Sequence, residues 1–430
     1  MPESLQLETF ERTLGPSQPE VSTRQPAPEG TSGGAAVRAR IPELDGLRGM
    51  AILFVLLYHY ITLSGSAAPG TVLTPLQSCF ALGWAGVDLF FVLSGFLIGG
   101  ILLDARESPG FFQTFYARRF FRIIPLYAVW AGIFFLLALL SFPGFPVAIA
   151  DNPERWTDAR FYVVFLQNSF KIPHGTFGTA WLGALWSLAV EEQFYLVMPM
   201  IVRFFPRRRL VEAMGLTVVL APLTRMAIRI YVPQHGAAPY MLTACRADAL
   251  ALGVLFACML RDERWRSRLQ RSGRKLAWAV FPILLALVGY LAIWNPSQYS
   301  PTMSRWGFSA LGFFFVSSLA LAVLHPQGWL AWVCRLSPLA YLGRISYCVY
   351  VIHQTVNLFC HLALLKAAPE FLTLPGAAVT VLAFATTLAV AQLSWKFFEY
   401  PLLCKGYAFK YAPAEKPVPA SLPDYRRVSA

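Results

Sequence analysis

The chain has 430 residues, of which 56% are hydrophobic and only 14% charged, with a net charge of +13 and a mean hydropathy of +0.52. A water-soluble domain carries nearer a quarter charged residues, so a soluble globular protein is excluded. The basic residues fall mainly between apolar runs, which argues against a nucleic-acid partner and for the charge pattern of a membrane protein.

In chain order, residues 1–45 are polar and rich in Pro, Gly, Ser and Glu. They read as a disordered tail without a signal-peptide pattern. Ten apolar runs follow, at about 48–64, 80–103, 122–140, 181–203, 210–232, 243–260, 276–294, 307–324, 344–365 and 374–398. Each is read as a membrane span. The expected fold class is therefore all-α: a polytopic bundle of about ten transmembrane helices in the lipid bilayer, occupying 46–401, with a tail at 402–430. Placing the Lys and Arg residues on this topology puts 28 on one side and five on the other, so both termini are expected in the cytoplasm. The longest external connection, about 141–180, holds the apolar run Phe161–Leu166. That run is too short to span, and the loop is expected over the external mouth. Seven cysteines are scattered without a Cys-x-x-Cys pair, so no metal site or disulfide framework is readable and small buried residues are expected.

An ionisable residue inside a span is costly and is a functional candidate by default. The first span carries Arg48 and His59, eleven residues apart, within roughly 20° of one helix face and ~16 Å apart along the axis. The competing reading of His59 is a hydrogen bond to a neighbouring helix. Asp88 sits in the outer half of the second span and needs a partner, whereas Ser94-Gly95 reads as close packing. Arg119 and Arg122 share a face at the cytoplasmic entrance to the third span. Their planar donor forks suit phosphate, or else anionic lipid headgroups. With Arg48 they form one layer, with His59 about halfway through, which suits a ligand with an anionic head and a thin tail, such as acyl-coenzyme A.

In the fourth span, Glu191 and Glu192 point about 100° apart, so at most one faces a narrow site fully. One of them holds a histidine in the tautomer for base catalysis, or pairs with Arg225 or Arg229. Arg225, Arg229, Arg246 and Asp248 lie near the external end. They receive a polar acceptor such as a sugar, or pair with Asp88 and Glu191. Ser346, Tyr350 and His353 share one face of a late span and read mainly as packing.

Six stretches carry a resemblance, in order. They are Leu-Asp-Gly-Leu-Arg-Gly with the histidine eleven residues past its arginine, Gly-Val-Asp-Leu-Phe-Phe-Val-Leu-Ser-Gly-Phe-Leu-Ile, Arg-Phe-Phe-Arg-Ile-Ile-Pro, Leu-Trp-Ser-Leu-Ala-Val-Glu-Glu-Gln-Phe-Tyr, Ile-Ser-Tyr-Cys-Val-Tyr-Val-Ile-His and Ser-Trp-Lys-Phe-Phe-Glu-Tyr-Pro. Together, from about Ile41 to Pro401, they resemble the acyltransferase 3 family of integral membrane acyltransferases. The resemblance implies a multi-pass protein of the bacterial inner (plasma) membrane. Its implied reaction moves an acyl group, acetyl by default, from cytoplasmic acyl-coenzyme A to a hydroxyl of a carbohydrate, glycolipid or glycosylated small molecule, with no tightly bound cofactor. Carried over residue by residue, it gives His59, Arg48 and Glu191 catalytic roles and places the donor on Arg119 and Arg122. His59 would serve as general base or transient acyl carrier, and Arg48 would orient the donor. Asp88, Arg225 and Arg246 are expected to bind the acceptor. Some members append an extracellular hydrolase-like domain. With about thirty residues after the last span, transfer is expected of the membrane part or a separate partner. The rival class is a transporter or flippase without acyl chemistry, against which no two-fold repeat of broken helices is evident.

Overall fold

The computed structural model describes residues 41–65, 73–140, 159–173, 178–294 and 297–412, which form helices and their connections without a strand. The elements are α1 (Glu43–Leu57), α2 (Leu73–Cys79), α3 (Gly86–Ala105), α4 (Phe111–Leu139), α5 (Ala159–Val163), α6 (Gln167–Lys171), α7 (Leu185–Phe204) and α8 (Arg207–Tyr231). They continue with α9 (Ala238–Met241), α10 (Thr243–Leu260), α11 (Glu263–Trp294), α12 (Phe308–Leu324), α13 (Trp329–Cys334), α14 (Ser337–Leu365), α15 (Leu374–Ser394) and α16 (Tyr400–Tyr407). Three π-helical turns interrupt this pattern: Tyr58–Thr62 extends α1, Met303–Gly307 leads into α12, and Trp395–Glu399 joins α15 to α16.

The chain is a multi-pass helical membrane protein. Among the described residues nine helices are long and apolar enough to cross a bilayer, rather than the ten expected. The difference falls on the seventh expected span, 276–294. It belongs to α11, whose first half is the basic stretch after Glu263. Val280–Trp294 is an apolar helix within it, and the side chains of 276–279 lie outside the described residues. Two expected boundaries also move. Glu43 already begins α1, so the last residues of the expected tail are helical, while 1–40 lie outside the described residues. At the other end, α16 carries helix through Tyr407, past the expected limit at 401; residues 413–430 again lie outside.

Glycine sets the closest helix crossings. A Cβ on Gly46 or Gly49 of α1 would sit 1.9 Å from the Cys334 carbonyl oxygen or 2.0 Å from that of Leu339, and one on Gly343 of α14 would sit 1.9 Å from that of Asp45. The α3–α10 pair repeats the device, with Gly95 against Leu250 and Gly253 against Val92. Water drives little helix association inside lipid, so close backbone approach and van der Waals contact must supply it.

Arginines fasten one end of the bundle. Arg106 donates to the Phe205 carbonyl (2.8 Å) and Arg207 to that of Arg261 (3.0 Å). Arg261 forks onto Asp104 (2.6 and 2.7 Å), and Arg335 pairs with Glu43. Most of these groups sit at helix carboxyl ends, where cations complement unpaired carbonyls and the helix dipole.

Within the expected external loop, 141–158 and 174–177 lie outside the described residues. The part from 159 to 173 is anchored to the bundle at its second half, while Val163, Val164 and Leu166 stay exposed. Buried Gln167 and Asn168 donate to the carbonyls of Leu185, Trp186 and Met241 (2.9–3.0 Å). Gln193 of α7 donates to Phe165 (2.8 Å), which adopts a positive φ of 56°. Four of the cysteines are buried, but Cys79 and Cys404 are exposed, against the expectation of burial. Burial in α13 pushes the Cys334 thiol up to about 12.

Gly49→Ala is expected to force α1 from α14 and to cost about 1–3 kcal/mol, the usual penalty of overpacking. Thermal unfolding of the purified protein in detergent measures it as a lowered midpoint.

Candidate functional site

Helix α4 starts eleven residues before the span expected at 122, and this earlier start places Arg118, Arg119 and Arg122 on one continuous helix. With Arg48 of α1 they line a cavity of about 190 Å³, together with Leu97, Ile101, Phe115, Tyr407 and Tyr411. The cationic layer expected from the sequence is thus one place in space. Arg118 is committed to structure, since it donates to the Phe409 carbonyl (2.8 Å) and lies 5.1 Å from the Tyr411 ring. Arg119 is different. Its guanidinium lies about 6 Å over Phe115 and Tyr195, and its buried Nε has no hydrogen-bond partner among the described residues. Arg48 has a loose contact with Asp45, at 3.8 Å. Arg122 lies close enough to Arg48 and Arg119 to repel both.

Carboxylates flank this layer. Ser94 Oγ donates to Glu191 Oε1 (2.7 Å) and Tyr195 to Oε2 (3.4 Å). Glu191 attracts Arg48 and Arg122, whereas Glu192 attracts Arg119. Both neighbouring glutamates thus act on the arginines, while Ser94 and Tyr195 fix only Glu191 by hydrogen bonds. A third carboxylate, Glu399, accepts from Ser394 (3.0 Å) and attracts Arg122. Ser94 was expected only as a packing residue; its hydroxyl fixes the Glu191 carboxylate.

His59 lies on the same helix as Arg48, within the π turn that ends it. Such turns recur at functional sites because the extra residue re-aims a side chain. Its Nδ1 is 2.8 Å from the Val55 carbonyl and its Nε2 is 3.0 Å from the Gln354 amide nitrogen. A carbonyl only accepts, so Nδ1 carries the proton of the neutral ring and Nε2 presents its lone pair. The His353 ring stands edge-on 4.8 Å away, and Tyr58 stands edge-on 5.1 Å away. His59 is partly exposed, whereas His353 is fully buried.

The structure thus brings Arg48, Arg119, Arg122 and Glu191 together and holds His59 farther along α1. It does not bring Glu191 to His59: no hydrogen bond joins them among the described residues, and the ring is fixed by Val55 and Gln354 instead. Gln354 follows directly on the histidine of a motif noted in the sequence, but nothing in the local pattern tells which helix it faces.

Asp88, Arg225 and Arg246, expected to bind acceptor, lie elsewhere and are sealed. Arg246 pairs with Asp88 at 1% side-chain exposure on each, and Arg225 pairs with Asp248 (3.0 Å) at 0% and 1%. Arg246 stacks 3.9 Å over the Phe308 ring, and Ser309 donates to Asp248 (2.7 Å). The four charges cancel in pairs, although Asp88 Oδ2 and Arg246 Nε and Nη1 have no hydrogen-bond partner among the described residues; the sequence had offered Asp88 as a partner, but Glu191 rather than Asp248 as the other. Among the described residues no group of three His, Cys, Asp or Glu side chains is placed to hold a metal ion.

The acyltransferase 3 family (acyltransferase domain) matches residues 41–396. The chain belongs to this family. Peptidoglycan O-acetyltransferase OatA of Listeria monocytogenes is 30% identical over 389 residues, covering 86% of this chain and 57% of that protein. O-acetyltransferase OatA of Staphylococcus aureus is 26% identical over 397 residues, covering 87% and 59%. The putative peptidoglycan O-acetyltransferase YrhL of Bacillus subtilis is 30% identical over 389 residues, covering 85% and 55%. This acyltransferase 3 chain therefore spans somewhat more than half the length of the curated relatives that it matches. No solved structure matches it.

Arg246→Ala leaves Asp88 buried and unpaired, an error that costs about 3–5 kcal/mol. The expected result is a lowered unfolding midpoint and folded yield, with activity per folded molecule little changed. Thermal unfolding beside an activity assay separates this from loss of an acceptor contact, which would raise KM in a stable protein.

Proposed function

We propose that this chain is a membrane O-acyltransferase that carries an acyl group, acetyl by default, from cytoplasmic acyl-coenzyme A to a carbohydrate hydroxyl. The observation that carries the reading is the cavity lined by Arg48, Arg119 and Arg122 on the same helix system as a histidine with its lone pair set at Nε2. Guanidinium groups without close ion pairs suit the phosphates of a coenzyme. A cavity of about 190 Å³ holds a phosphate-sized head, smaller than the roughly 300–1,000 Å³ of a whole drug-sized ligand site. The rest of the donor would extend along α1 towards His59.

In this reaction His59 Nε2 takes the proton of the acceptor hydroxyl as its oxygen attacks the thioester carbonyl carbon. The tetrahedral adduct collapses with breakage of the carbon–sulfur bond, and the departing sulfur takes the proton back from Nε2. The products are an O-acyl ester and the free thiol of the coenzyme. Arg48 would orient the donor, and Glu191 and Glu192 would hold the arginines apart and in place. The relatives named peptidoglycan O-acetyltransferases make a cell-wall glycan of the bacterial envelope the first acceptor to try. The arginine-rich end would face the cytoplasm, as its charge favours.

Purified protein supplied with radiolabelled acetyl-coenzyme A and a glycan acceptor tests this. His59→Ala is expected to lower kcat by roughly 10²- to 10⁴-fold, the usual worth of a general base. Arg119→Ala and Arg122→Ala should each raise donor KM roughly 10- to 100-fold through loss of a charge-assisted hydrogen bond. Label retained on His59 would identify it as an acyl carrier. Turnover unchanged in His59→Ala would overturn the site, and glycan movement without donor consumption would favour a transporter.

A further inference from the structure

The lone pair assigned to catalysis is already occupied in the structure. Because the Val55 carbonyl accepts the Nδ1 proton, Nε2 of neutral His59 can only accept, and the group 3.0 Å away must present a donor. Gln354 therefore turns its amide nitrogen to the ring. Its carbonyl oxygen points to Gly183, where a Cβ would sit 3.3 Å from it. His353 and Tyr58 stand edge-on to the ring at 4.8 and 5.1 Å. His353 in turn is pinned through Nδ1 to the Tyr350 carbonyl (2.8 Å) and its own carbonyl accepts from Tyr60 (2.9 Å).

We infer that Gln354 is a positioning residue that caps Nε2 of His59 in the resting protein and yields this place to the acceptor hydroxyl. The inference rests on the proposed acyltransferase reading for its role in turnover, though the cap itself is a property of the unliganded protein. Its physical sense lies in the alternative. An uncapped imidazole beside a thioester would activate any water that enters, and the acyl group would be lost to hydrolysis. A neutral amide holds the lone pair at modest strength, so a hydroxyl offered in the right place exchanges for it at little cost. The Val55 bond keeps the tautomer unchanged throughout.

The test reads the lone pair directly. Diethyl pyrocarbonate carbethoxylates neutral imidazole at its free nitrogen, and mass spectrometry of peptides resolves His59 from His353. Gln354→Met keeps the length and removes the donor; Gln354→Asn keeps the amide but withdraws it by one methylene. In either variant His59 should react about fivefold faster than in the unaltered protein, the factor for releasing a neutral hydrogen bond. Acceptor-independent hydrolysis of acetyl-coenzyme A should rise, and donor KM should stay unchanged. Unfolding midpoints identify whichever variant retains the fold. An unchanged carbethoxylation rate at His59 in a folded variant overturns the cap. If transfer persists in His59→Ala while the carbethoxylation rate still responds to Gln354, the cap stands and the catalytic reading fails. If His59→Ala is inactive while the rate ignores Gln354, the cap alone fails.

Discussion

Positive charge inside an apolar bundle has to be answered by something, and the manner of the answer divides the arginines of this chain into two kinds. Those at Arg106, Arg207, Arg225, Arg246, Arg261 and Arg335 are met at close range by carbonyls or carboxylates. They hold helices together. Arg119 and Arg122 form no salt bridge among the described residues, and Arg48 has a distant one. These three line one cavity, which sets them apart from the arginines that hold helices together.

The two halves of the site differ in how their rigidity arises. The arginine layer is assembled from distant parts of the chain: α1, α4, the Glu191–Glu192 step of α7 and the carboxyl-terminal α16. Each contact there depends on tertiary packing, down to Ser94 fixing the Glu191 carboxylate. The histidine, by contrast, takes its tautomer from a carbonyl four residues back on its own helix, and only Gln354 and His353 reach it from α14. Local geometry thus sets which nitrogen is basic, while packing sets what that nitrogen meets.

Much of this was legible in the sequence, and the reasons are physical. Apolar run length gave the helices, because lipid allows few alternatives to a helix for a spanning backbone. Spacing placed Arg119 beside Arg122, and motif order tied both to Arg48. Other features were hidden because they depend on partners far along the chain. Nothing near Arg246 decides whether Asp88, 158 residues away, answers its charge, so pairing and acceptor contact stayed alternatives in the sequence. Nor does the sequence around Gln354 show that it faces His59. The anchoring of 159–173 depends on buried Gln167 and Asn168 finding carbonyls on α7 and α9, which no local pattern encodes.

Arg48 and His59 share one unbroken helical rod, closed by the π turn at Tyr58–Thr62. Their separation is thus written in peptide bonds, as a covalent ruler that loosening of the surrounding bundle leaves intact. Evolution can reshape the walls of the cavity, exchange the acceptor or remodel external loops without disturbing that length. It has far less freedom to add or remove a residue between positions 48 and 59, since one step turns everything beyond it by about 100°. An insertion there would leave every side chain of the site present and aim the histidine at a different helix.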